Sequence, residues 1–311
     1  MASKMPGLMT LDVKYLFEGM QYPYTAEVNR HHSRVWEGPR RDGRWDAAAM
    51  MVRLGVGVAL KNLVIRFGTL GAMVQLDQGV ALPDLVMSLT SDPLSAALRV
   101  YSQNLFTWEV LGVVDQTLFW PGEDEGGSMP FWPRLRILKV IFHSAAPSGR
   151  WYFEGPKGEG RTDEGFKIED RHYPPVEKQE GDDEWDDQSG QYENTSPNMF
   201  RTKPIDGEVE SLLGAFAKAL DVMPVLESGE LFTFLHFESS DESCVRSLGL
   251  ERIRVPRMGI LSWDIVCRWG LRFVAGEADA RLEWHVGKWR PSRDLVRLLS
   301  RMVPEEQWIY M

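Results

Sequence analysis

One phrase, L-x-x-L-x-L with other apolar residues standing in for leucine, recurs along this 311-residue chain and limits what it can fold into. Pro6-Gly7-Leu8-Met9-Thr10-Leu11-Asp12-Val13 returns at the same spacing as Pro133-Arg134-Leu135-Arg136-Ile137-Leu138-Lys139-Val140. Looser echoes stand at Leu60-x-x-Leu63-x-Ile65, Leu105-x-x-Trp108-x-Val110 and Leu250-x-x-Ile253-x-Val255. A unit of this kind buries its apolar face only by stacking on a neighbour. The phrase therefore predicts an α/β fold: a degenerate leucine-rich-repeat-like solenoid with a mainly parallel, curved sheet. Its expected role is to grip another macromolecule without catalysing a reaction.

Strands are expected over residues 5–14, 60–67, 105–111, 135–142, 230–237, 251–255, 271–275 and 282–286. Between them, Val209, Leu212, Leu213, Phe216 and Leu220 recur at helical spacing, with Asp206 as the N-cap and Pro224 after the end. Shorter helices are expected over 47–58, 95–101 and 294–302. The polar stretch 21–46 reads as an irregular connection. Alternation of strand and helix favours a parallel sheet in one repeat-type domain over 1–311.

Charge is spread unevenly. The net value is −10, and residues 157–203 alone carry 13 acidic against 7 basic side chains. That stretch shows no apolar periodicity and is expected to be an acidic, flexible insertion. No basic field exists to attract nucleic acid or an anionic membrane. Cys244 and Cys267, the only cysteines, cannot form a disulfide framework or a thiolate zinc site. No apolar leader or membrane span is legible, so the expected location is intracellular, cytoplasmic or nuclear.

Little suggests chemistry. Gly155-Pro156-Lys157-Gly158-Glu159-Gly160 lacks the Lys-Ser/Thr ending of a phosphate loop and reads as a turn. His31 and His32 have no third ligand nearby, and His236 with Cys244 lies among acids that would not favour a thiolate. No catalytic residue, metal ion or cofactor is expected. The competing architecture is an α/β barrel that hydrolyses glycans with a carboxylate pair. Asp12, Glu109 and Asp115, near predicted strands, are its candidate acids, though solvent-facing positions suit them as well.

If the phrases stack, their leucines point inward and the intervening side chains face the concave side. Asp12 and Lys14 then fall on one rung, Asn62 and Arg66 on the next, and Glu109, Lys139, Arg252 and Arg254 on later ones. Their mixed signs suit a patterned protein partner better than a polyanion.

The run Phe131–Val140 continuing to Phe153 resembles the C-terminal region of a large group of fungal F-box-type proteins. So do Leu118-Phe119-Trp120-Pro121, the helix Leu213–Met223 leading into Pro224, and Val286-Gly287-Lys288-Trp289-Arg290-Pro291. The resemblance implies a leucine-rich array that selects a protein for a cullin–RING ubiquitin ligase. It also implies an F-box that docks on a Skp-type linker. No F-box is legible in this chain, because Met5-Pro6-Gly7-Leu8 already opens a repeat, so a Skp-type contact is not expected from these residues.

Overall fold

The computed structural model describes residues 7–13, 36–54, 59–67, 77–87, 89–122, 129–177, 180, 198–236, 249–256, 263–276 and 279–311. The elements are β1 (Thr10–Val13), α1 (Glu37–Leu54), β2 (Asn62–Arg66), α2 (Pro93–Ser102), β3 (Thr107–Gly112), β4 (Ile137–Phe142), β5 (Phe153–Glu154), β6 (Lys203–Pro204) and α3 (Asp206–Asp221). They continue with β7 (Ser228–Leu235), β8 (Glu251–Pro256), β9 (Trp263–Val274), β10 (Arg281–His285), α4 (Arg293–Leu299) and β11 (Trp308–Tyr310). One sheet runs β1-β2-β3-β4-β7-β9-β10-β11, with β8 beside the first half of β9, and β5 pairs with β6 separately.

The repeated phrase sets the register of this sheet. Its fourth positions line up as Leu11, Leu63, Trp108 and Leu138, and its sixth as Val13, Ile65, Val110 and Val140. Gly229 and Leu231 on β7 continue the two columns. Strand entry repeats as well. The Met9 carbonyl accepts the N–H groups of Lys61 (2.9 Å) and Asn62 (3.0 Å), and the Lys61 carbonyl accepts those of Phe106 and Thr107. Phe106 does the same for Arg136 and Ile137, and Arg136 for Glu227 and Ser228.

Strands that follow one another in sequence are also neighbours in space from β1 to β4. Such parallel crossovers share one hand, so their helices fall on one face of the sheet. Accordingly α1 to α4 contribute to a single core with the fourth- and sixth-position residues. Leu60, Leu105, Leu135 and Leu226, at the head of each unit, are buried in it too. Each such side chain contributes about 1.5–3 kcal/mol when withdrawn from water.

Beyond β7 the pattern changes. β9 runs antiparallel to β7, β8 and β10, and β11 returns parallel to β10. The sheet stays open, with no pairing of β11 to β1 among the described residues, so the competing α/β barrel is ruled out. The echo at Leu250–Val255 is corrected as well: it lies on antiparallel β8, outside the parallel ladder.

Two further expectations need revising. Helix α1 starts at Glu37, within the stretch read as irregular. Its Gly38 makes room for Tyr173, whose ring would meet an added Cβ at 2.5 Å. Within the stretch read as a flexible insertion, Met199, Arg201 and Thr202 are buried, while most of 157–177 is exposed. Arg201 is fully buried, donates to the carbonyls of Gln78 and Phe153, and stacks over Trp151 at 4.4 Å. Residues 178–179 and 181–197 of that stretch lie outside the described residues. Asp206 is the first helical residue of α3 rather than its cap, and accepts the indole N–H of Trp289 at 2.9 Å. Among the described residues no helix is long and apolar enough to cross a membrane.

Candidate functional site

Side chains alternate across a strand, so the face away from the helices collects the third and fifth phrase positions. On it the pairing puts Asp12, Val64, Glu109, Lys139, Glu230, Arg272, Glu283 and Ile309 in one row. From Glu109 to Glu283 the charges alternate in sign at the spacing between strands, about 4.8 Å. Arg66 reaches diagonally to Glu109 at 2.6 Å, Arg272 binds Glu230 at 3.1 Å and Glu283 at 3.6 Å, and Arg281 binds Glu283 at 2.8 Å. Lys139 stands between Glu109 and Glu230. A parallel row carries Thr10, Asn62, Thr107, exposed Ile137 and Ser228, and the Asn62 amide donates to the Thr10 hydroxyl at 3.1 Å. Partly exposed pairs of this kind add about 0–1 kcal/mol each. Their effect is to print a charge pattern on the surface.

Of the residues expected on a recognition face, Asp12, Asn62, Arg66, Glu109 and Lys139 share this one. Lys14 lies outside the described residues. Arg252 and Arg254 do not belong to it: Arg252 pairs with Cys267, which lies in the core beside the helices, and Arg254 shares the face of Arg252 two residues along β8. Glu251 and Ile253 take the outer face instead. The fifth-position Glu230 escaped the sequence reading because Gly229 stands where the phrase has an apolar residue.

Where the outer face approaches the carboxyl ends of β4 and β7 it becomes apolar, with Ile141, Phe232 and Val266 buried. Gly270 falls between Phe232 and His285 in register, and the two rings meet over it at 5.2 Å. Arg268 stacks on Phe232 at 4.9 Å and reaches Glu251 at 3.3 Å, and Glu251 lies 3.1 Å from His285. Burial, reinforced by the Arg268 charge, lowers the pKa of His285 and favours its neutral form.

A second polar group lies inside the protein, past the carboxyl end of β3. Arg44 of α1 grips Asp92 through two hydrogen bonds (2.8 and 2.6 Å) and donates to the Val113 carbonyl. Asp92 caps α2 by accepting the N–H groups of Leu94 and Ser95. Asp115 accepts the N–H groups of Asp92 and Thr117 and the Thr117 hydroxyl. Burial pushes the Asp92 carboxyl up, but the charge and hydrogen bonds of Arg44, with those of Ser95, outweigh it and hold the group below its ordinary value. Burial and the neighbouring Asp92 push Asp115 up to about 6. Asp115 is thus not the solvent-facing acid expected from sequence. With Asp92 fully buried and Asp115 7% exposed, neither carboxylate is presented to a substrate.

Other reactive groups are similarly enclosed. Burial, with the Arg40 charge, lowers His143 to about 3, and its Nδ1 accepts the Ala145 N–H. Burial raises the Cys267 thiol. Cys244, His31 and His32 lie outside the described residues. No group of three or more potential metal-ligating side chains occurs among the described residues. No protein-family model, curated protein or solved structure matches this chain.

Proposed function

We propose that this chain is a non-enzymatic protein-recognition domain, a degenerate leucine-rich-repeat-like solenoid that binds its partner on the face of the sheet away from the described helices. The observation that carries this reading is the row of alternating charge from Glu109 to Glu283, in which the repeated phrase registers Glu109 with Lys139 and long-range strand pairing adds Glu230, Arg272 and Glu283. A surface with fixed alternating signs discriminates by pattern, because a partner presenting like charges at the same spacing is repelled. The sheet holds these groups on rigid strands, so little conformational freedom is lost on binding. Following the resemblance to fungal F-box-type proteins, the reading extends to substrate selection for a cullin–RING ubiquitin ligase.

Lys139→Glu tests the face. Wild type, this variant and a helix-side control, Arg293→Glu, are immobilised and exposed to the same native fungal extract, and retained proteins are quantified by mass spectrometry. A partner of this face is kept by wild type and Arg293→Glu and depleted on the order of tenfold by Lys139→Glu. Equal retention by all three would remove the face from the proposal. Recovery of no Skp-type or cullin component would remove the ligase role alone.

A further inference from the structure

Two carboxylates and one engaged guanidinium occupy the interior beyond β3. Arg44 grips Asp92 and donates to the Val113 carbonyl, while Asp115, among the described residues, meets hydroxyl and backbone donors. Ser95 joins the two acids: its hydroxyl donates to Asp92 at 2.5 Å and its oxygen receives the Asp115 N–H at 3.4 Å. Three separate elements converge here. They are α1 through Arg44, the start of α2 through Asp92 and Ser95, and the turn after β3 through Asp115 and Thr117.

Among the described residues, no cationic side chain is seen to hydrogen-bond to or pair with the Asp115 carboxylate. Tyr152 donates its hydroxyl to the Val114 carbonyl, and its own ionisation is strongly opposed by burial and then by Asp115, Glu208 and Asp92. Arg99 of α2 donates to the Thr117 carbonyl. From the end of β4, His143 is held neutral and faces Arg40. Arg40 is paired with Glu37 at 3.2 Å.

We propose that Asp115 is a proton-operated latch. Protonated, it leaves Arg44 and Asp92 as a balanced pair and holds α1, α2 and the end of β3 together; ionised, it adds a second buried negative charge beside Asp92 that loosens them.

The sign follows from linkage. A carboxyl whose pKa is higher in the folded than in the unfolded state contributes stability below its ordinary value of 3.8, and loses it as pH rises through about 6. Asp92 acts in the opposite sense: its contribution is present above 3.8 and disappears in stronger acid. His143 and His285 also oppose Asp115, because each stays neutral in the folded state while the unfolded chain takes up a proton. Wild-type stability alone therefore mixes these contributions, and the comparison with Asp115→Asn isolates one of them.

Asp115→Asn keeps an oxygen acceptor for Thr117 and removes the titration. Urea unfolding of both proteins at about pH 5 and about pH 7.5 gives the readout. Relative to the variant, wild type should gain roughly tenfold or more in its folding equilibrium constant at the lower pH. Hydrogen exchange of α1 and α2 amides, corrected for its chemical pH dependence, should slow in wild type and not in the variant. A stability difference that does not change with pH would overturn the latch, even if the variant is uniformly weaker. Should Asp115→Asn fail to fold, Thr117→Ala replaces it. Losing a hydroxyl that favours the ionised form should move the loosening to higher pH, and an unmoved midpoint would equally overturn the proposal.

Discussion

Gly270 does three things that no other residue could do at its position. Its φ is +146°, a region that residues with a side chain rarely enter. An added Cβ would lie 2.1 Å from the Leu231 carbonyl oxygen. Its bare surface also lets Phe232 and His285 close over the strand. Gly270→Ala should therefore cost on the order of 3 kcal/mol, read as a lower urea midpoint with an unchanged slope. From sequence the strand was expected to begin only at Leu271, because an isolated glycine breaks the period of its neighbours. Arg201 was hidden for a related reason. It lies at the end of an acidic window whose average composition describes the window and not its ends. One arginine against Trp151 and Gln78 packs a segment that composition alone would leave in solvent.

Legibility at the scale of elements depended on how each element is stabilised. Strands β1 to β4 carry their own signal, because each must place two apolar side chains in a column, and the phrase states both. Helices α2, α3 and α4 were legible from apolar stripes. The first half of helix α1, ahead of the stretch expected from Ala47, was not: Arg40 and Arg44 are buried by pairing with Glu37 and Asp92, and Gly38 and Gly43 weaken the pattern further. A helix anchored by buried ion pairs reads as polar. The two capping side chains test this contrast. Asp92→Ala should cost about 4 kcal/mol, since it removes the α2 cap and strands the buried Arg44 charge. Ser292→Ala at the exposed start of α4 should cost about 1 kcal/mol, both values from denaturant unfolding.

For the whole molecule, the outer face of the sheet was legible in five of its residues, and two others were assigned to it wrongly. Asp12, Asn62, Arg66, Glu109 and Lys139 were found because phrase position determines parity. Arg252 and Arg254 were misassigned because β8 runs antiparallel, which no local phrase records. The contributions of Glu230, Arg272 and Glu283 depend on pairing between distant strands, and only the folded chain reveals it. One core spans the described molecule from Ala48 to Val303. Lys139→Glu, which touches only the outer face, should therefore leave thermal unfolding nearly unchanged, within about 1 kcal/mol, while altering partner capture.

The carbonyls of Met9, Lys61, Phe106 and Arg136 each receive the next strand through the same pair of N–H donors. One geometry is thus built four times, and the register of β2, β3, β4 and β7 is fixed where the chain enters each strand. Each of these strands then adds one column of side chains to the outer face of the sheet.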